Sequence, residues 1–283
     1  MTPPPRPSLA LDLEAGRIVR AVVFTMLWLA AVVVVLDVWL YLGGGLEDDD
    51  LAGWFNATSE RGLGSWLSVT QTVLIAVTLW VFAALLRAGG RPRGRVIGWT
   101  ALAAFFSYLA LDDGTFLHER VGSAFADSGA AEAAGAFPSY YWQVVLGPAF
   151  VVAGLFMVVF LMREIQDRRL RAFVALAVVL MGAAVALDFV DGLEAGHPLN
   201  AYAWIAARWL PDAYASAMFG MSGLEAVVHL SRAVEESLEM ASMTLLWATF
   251  LSHAAATFGS VTVRIEDEQA QAASSTERVA AVA

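Results

Sequence analysis

Residues Ile18–Leu42 read IVRAVVFTMLWLAAVVVVLDVWLYL, an apolar run interrupted only by Arg20 near its start and Asp37 near its end. A helix needs about 20 mostly apolar residues to cross a hydrocarbon core about 30 Å thick. This run meets that length. It is too long and too rich in valine for a signal peptide, and no small-residue cleavage site follows it. Five further runs have the same character: Trp66–Leu86, Val96–Leu117, Tyr140–Met162, Ala172–Val190 and Val234–Phe258. The expected architecture is an all-α membrane protein, a six-transmembrane helix bundle occupying residues 18–259. Residues 1–17 and 260–283 are expected to be disordered cytoplasmic tails, the first Pro-rich and the second polar.

Composition agrees with this. The chain of 283 residues is 59% hydrophobic and 16% charged, whereas a soluble domain is about 45–50% apolar and about 25% charged. Cysteine is absent, which excludes disulfides, thiolate metal sites and thiol catalysis. Lysine is absent as well, so there is no Walker-A lysine and no Schiff-base chemistry. A net charge of −10 argues against nucleic acid as a partner.

Arginine placement sets the expected topology, because cytoplasmic loops carry the excess of basic residues. With both termini cytoplasmic, 13 of the 17 arginines fall inside, and only Arg61, Arg120, Arg208 and Arg232 fall outside. Among the outer loops, Gly43–Ser65 holds the acidic run Glu47–Asp50, read as a solvated turn. Gly122–Ser139 is small, Ala-rich and expected to be mobile. In Leu199–Leu210 the residues Tyr202, Ile205, Trp209 and Leu210 recur near helical spacing. That pattern suits a helix in the outer interface or one packed on the bundle.

Two hairpins match at an offset of 76 residues. Trp66 aligns with Trp142, Arg87 with Arg163, Arg93 with Arg169, Arg95 with Arg171, and Ala110-Leu111-Asp112 with Ala186-Leu187-Asp188. Helices two and three are therefore expected to repeat as helices four and five in parallel orientation. The spacings Arg20 to Asp37, Arg95 to Asp112 and Arg171 to Asp188 are each 17 residues. At 1.5 Å per residue this is a rise of about 25 Å, which would set three aspartates at one level in the outer part of the membrane.

Ionisable groups at that depth are costly, face the bundle interior and require partners. Glu119 lies seven residues beyond Asp112, Asp191 follows Asp188 at i+3, and Glu239 shares a face with Glu235 and Glu236. Asp113, next to Asp112, points to another side of its helix. So many carboxylates against few local cations call for protons or for bound cations. Oxygen ligands with one or two imidazoles suit Mg, Ca, Mn or Fe, and Zn less readily. The candidate ligands of a divalent metal are Asp37, Asp112, His118, Glu119, Asp188, Asp191 and Glu239. Glu235 or Glu236 would act as base, with Arg232 receiving the anionic part of a lipid or membrane-associated substrate. A di-iron variant needs two Glu-x-x-His units, and Glu194-Ala-Gly-His197 is the single such spacing.

Leu111-Asp-Asp-Gly-Thr-Phe-Leu-His-Glu119 and Glu235-Glu-Ser-Leu-Glu-Met240 resemble motifs of bacterial multi-pass membrane proteins that carry Leu-Asp-Glu/Asp, then His-Glu, and later Glu-Glu-x-x-Glu. That resemblance implies no activity. The arrangement is also similar in logic to the alkaline ceramidase and progestin-receptor-like membrane hydrolases. This chain has no His-x-x-x-His, however, and six spans in place of seven, so their chemistry is not carried across.

The leading expectation is thus a metal-dependent membrane enzyme of hydrolase type, with an acidic pocket opening outward. The first alternative is a cation or proton transporter or channel. Against it, the inner halves offer His253, Ser252, Thr249, Thr78 and Thr100 but no evident charged route. The second alternative is a non-catalytic subunit whose acidic network is structural.

Overall fold

The computed structural model describes residues 15–44, 48–59, 61–129 and 137–259. The expectations for the two tails, for Glu47 and for the middle of the Ala-rich loop lie outside the described residues. Among the described residues there are helices and no strands. The elements are α1 (Ala15–Leu36), continued by a π-helical turn (Asp37–Leu42), then α2 (Asp49–Phe55), α3 (Leu63–Ala88), α4 (Arg93–Thr115), α5 (Leu117–Asp127) and α6 (Trp142–Val145). These are followed by α7 (Gly147–Glu164), α8 (Arg168–Asp191), α9 (Ala201–Trp209), α10 (Asp212–Phe219) and α11 (Gly223–Phe258).

Among the described residues five helices are long and apolar enough to cross a membrane: Gly16–Leu42, Leu63–Ala88, Arg93–Thr115, Gly147–Glu164 and Arg168–Asp191. Their outer surfaces carry large bare apolar side chains, among them Phe24 and Trp28 on α1, Val151 and Val152 on α7, and Val179 on α8. Such contiguous apolar surface is compatible with lipid and not with water. The remaining expected span, Val234–Phe258, lies within α11 but is not among the five. The reason is visible in its surroundings. α11 packs against α1, α3, α8, α9 and α10, so its neighbours are protein, and its surface need not be as apolar as that of a lipid-facing helix.

Helix ends follow from local chemistry. α3 stops at Gly89, and Gly90 turns the chain with φ +65° before Pro92 precedes α4. Asp167 caps α8 through Arg169 N at 2.7 Å. Ser222 and Glu225 form a capping box on α11. Pro148, in the first turn of α7, starts a helix rather than kinking one. α3 and α4 pack along their length, whereas α7 meets α8 over a short stretch.

An apolar core fills the half of the bundle nearer the start of α4 and the end of α11. Leu79 and Phe82 of α3, Trp99 and Phe106 of α4, Leu161 of α7 and Phe250 of α11 are all sealed from the surface. A smaller cluster around Ala30, Val33, Leu67 and Met240 joins α1, α3 and α11 toward the opposite half.

The segments after α1, α4 and α8 are more helical than expected. Asp48 caps α2 through Leu51 N at 3.0 Å, so the acidic run initiates a helix. α5 occupies the start of the Ala-rich loop. α9 buries Tyr202 and Ala206 against the bundle while leaving Trp204 and Trp209 bare. It is the packed helix of the two readings, with an apolar outer edge.

Candidate functional site

The helix carrying Asp112 does not continue to Glu119. Phe116 adopts the left-handed conformation (φ 53°) and divides α4 from α5. A phenylalanine there is strained, and the break has a consequence for Asp112. One of its oxygens accepts from His118 N at 2.8 Å, and the other lies 2.9 Å from His118 Nδ1. Asp112 therefore ties the first turn of α5 back onto α4. Burial pushes the His118 pKa down. The hydrogen bond to Asp112 and the charges of Asp112, Glu119 and Asp188 outweigh that, and the net displacement is upward. The ring also meets Trp142 edge-on at 5.1 Å.

On α8, Asp188 accepts from Gln143 Nε2 at 2.8 Å. One turn outward, Asp191 accepts from Tyr140 OH at 2.7 Å and from Arg232 Nη2 at 2.7 Å. Arg232 thus lies across Asp191 at the outer edge of the group. Tyr202 OH donates to Leu187 O at 3.0 Å, and Ser231 Oγ donates to Tyr202 OH at 2.5 Å, fixing α9 to both α8 and α11.

Asp113 turns toward α3, as its neighbouring position on the helix requires, and accepts from Ser68 Oγ at 3.2 Å and Thr72 Oγ1 at 3.3 Å. Facing it from α11 are Glu236 and Glu239. Glu239 interacts with the charges of Glu236, Asp113, Asp188 and His118. Glu235 interacts with those of Asp188, Glu239, Asp191 and Arg232. No described residue donates a hydrogen bond to Glu235, Glu236 or Glu239. Every sealed polar side-chain atom among the described residues does have a partner. The unbonded oxygens of these half-buried glutamates are therefore not fully sealed from the surface.

Asp37 is satisfied by different partners. It is fully buried, accepts from Ala57 N at 3.0 Å, and meets His229 Nε2 at 3.0 Å through both oxygens. Tyr41 stacks on the His229 ring at 5.1 Å. Glu194 and His197 lie on a turn after α8, where His197 Nδ1 accepts from Leu199 N at 3.2 Å, so this Glu-x-x-His is not a helical pair.

The expected divalent metal does not survive this geometry. Among the described residues no group of three or more His, Asp or Glu side chains could hold a metal ion. The carboxylates of Asp37, Asp112, Asp188 and Asp191 are committed to His229, to His118, to Gln143, and to Arg232 with Tyr140, and they do not converge on one point. Metal binding by Asp37, Asp112, His118, Glu119, Asp188, Asp191 and Glu239 is overturned, and with it the metal-dependent hydrolase that would use Glu235, Glu236 and Arg232. The sequence reading missed Gln143, Tyr140, Ser68 and Thr72. Their types are ordinary, and only tertiary packing brings them to acids 41 to 51 residues away.

A family model described as Domain of unknown function (DUF8692) matches residues 26–254. No curated protein and no solved structure matches.

Proposed function

The chain belongs to the DUF8692 family, whose description carries no activity, and from the geometry of its helices we propose that it is a proton-translocating membrane protein, a transporter or channel. The observation that carries this reading is the set Glu235, Glu236 and Glu239. These carboxylates lie within electrostatic reach of Asp113 and Asp188, accept no hydrogen bond, and keep oxygens open. Crowded like charges in a weakly polarisable surrounding need positive charge nearby. A metal cation needs several oxygens at one point, whereas a proton needs a single oxygen. The dispersed arrangement therefore favours the proton.

In this reading α11 is the sixth span, packed against α1, α3 and α8, and residues 18–259 form the membrane domain between cytoplasmic tails 1–17 and 260–283. Support for the orientation comes from the arginines, 13 of 17 of which fall on one side. The 76-residue match supports a parallel repeat of the two hairpins. Glu236, Glu239, Asp113 and Asp188 carry the proton at the outer end. Asp112 and His118 position α5 beside them, and the Arg232–Asp191 pair covers the external mouth.

The test is proton flux into proteoliposomes of purified protein, driven by a potassium diffusion potential and read with a pH-sensitive dye. Wild-type protein acidifies the lumen, and Glu239→Gln and Asp188→Asn lose most of that flux. Vesicles no more permeable to protons than protein-free liposomes would overturn the proposal and leave the acids as a structural network. Flux of sodium or potassium without protons would do the same in favour of a cation pathway.

A further inference from the structure

The inner end of α11 holds a second group of ionisable side chains, unused by the outer site. Arg95 in the first turn of α4, Glu164 at the last residue of α7, and His253 of α11 converge there. Arg95 Nε donates to Glu164 Oε1. Arg95 Nη2 lies 3.4 Å from His253 Nε2 and 3.5 Å from Thr257 Oγ1. His253 Nε2 is 3.5 Å from Glu164 Oε1, and Trp99 Nε1 donates to the same oxygen at 3.4 Å. Trp99 stacks on the imidazole at 5.4 Å, and Phe82 of α3 meets it edge-on at 5.7 Å. The nearby Arg171 is turned away, donating to Ile165 O at 2.6 Å. The charged groups facing His253 are thus Glu164 and Arg95.

This group is in line with the outer one. On α11 the residues Glu239, Ser242, Leu246, Thr249, His253 and Thr257 recur at three- and four-residue steps, which places them along one helical face. Fourteen residues from Glu239 to His253 rise about 21 Å. Ser242 and Thr249 on that face are fully buried, their hydroxyls donating to Ala177 O at 2.9 Å and Leu245 O at 2.8 Å. Leu246 is the single apolar side chain in the series.

We propose that Arg95, Glu164 and His253 form the inward-facing proton site of this protein. His253 Nε2 takes the proton arriving along α11, and Glu164 swings from the Arg95 guanidinium to hold the imidazolium. Release of the proton to cytoplasmic water lets the Arg95–Glu164 pair re-form. The proposal rests on the proton-translocating reading above and adds to it a second site with its own access.

The experiment is the same flux measurement with the pH on the two sides of the vesicle varied independently and the potassium potential adjusted to hold the total driving force on the proton constant. It compares wild type, Glu239→Gln, His253→Gln and Glu164→Gln, each with helicity and monodispersity checked. Wild-type flux should vary with cytoplasmic-side pH. In His253→Gln and Glu164→Gln that dependence should be lost, while dependence on external pH stays. If wild type conducts, Glu239→Gln does not, and both inner variants keep the wild-type cytoplasmic-side profile, the inner site is overturned and the outer reading stands. If wild type does not conduct at all, both fall. Should either variant fail to fold, the wild-type profile still decides, since flux flat in cytoplasmic-side pH refutes an imidazole at the inner mouth.

Discussion

Asp37 and His229, separated by 192 residues, meet with the imidazole Nε2 3.0 Å from both carboxylate oxygens. Asp37 also accepts from Ala57 N, so one buried carboxylate joins α1, the segment after α2, and α11. It stands where α1 gives way to a π-helical turn. That wider turn re-aims the last residues of α1 and brings Tyr41 over the His229 ring.

Removing one partner of such a pair strands the other in a place closed to water. Asp37→Ala leaves the Ala57 N–H and the imidazole without their acceptor, and breaking a buried pair in this way costs about 3–5 kcal/mol. In detergent, Asp37→Ala should therefore unfold at markedly lower denaturant or temperature than wild type. Asp113→Asn, which keeps an acceptor for Ser68 and Thr72, should change far less. Equal midpoints for Asp37→Ala and wild type would show that the pair does not hold these elements together.

A close approach of backbone to backbone sets the position of α5. A Cβ added at Gly122 would lie 2.8 Å from Trp142 N and 3.2 Å from Trp142 Cβ. Gly122→Ala must push α5 off α6, at about 1–3 kcal/mol for overpacking. Because Trp142 also meets the His118 ring, the shift should appear as a change in Trp fluorescence as well as a lower midpoint. An unchanged midpoint with unchanged emission would show that α5 is not held at this contact.

The positions of the long apolar helices were legible because their cause is local. Hydropathy and arginine flanks place α1, α3, α4 and α8 within a few residues of the observed helices. Local patterns were silent where backbone conformation or tertiary pairing decided. Phe116 carries no sequence mark of a left-handed residue, so Glu119 was set on the wrong continuation of α4. Glu164 stands beside Arg163 and near other inner arginines, where an acid reads as a solvated charge, and only the arrival of α4 and α11 gives it Arg95 and His253. The aspartates at equal spacing do lie at corresponding helix ends, yet each turns to its own donor. Spacing placed each aspartate near the end of its helix and left side-chain direction open.

The His118–Asp112 link carries a pH dependence whose direction follows from the raised imidazole pKa. A group with a higher pKa folded than unfolded contributes its stability in full below the unfolded value, about 6.5 for histidine. That contribution is lost as pH rises through the folded value. The difference in unfolding midpoint between wild type and His118→Asn should thus be largest in mildly acidic buffer and shrink above neutrality. A difference that grows with rising pH would contradict the upward displacement.

In the proton-translocating reading, Leu246 is the barrier between the two polar ends. It is 3% exposed and belongs to the apolar core with Leu79, Phe106 and Phe250, between the hydroxyls of Ser242 and Thr249 on the same face. The Leu246 side chain itself offers water no hydrogen-bond partner on this face, so proton movement along it requires the side chain to be displaced. Leu246→Ser shortens the barrier and supplies a hydroxyl. Deleting part of a buried leucine costs about 2–5 kcal/mol of stability, which must be tolerated for the variant to be assayed. In vesicles, Leu246→Ser should conduct protons faster than wild type at equal driving force. Val179→Ser, on the bare outer face of α8, should not alter the rate. Folded Leu246→Ser protein with wild-type or slower flux would mean that protons do not pass this face of α11, and the line from Glu239 to His253 would have to be abandoned.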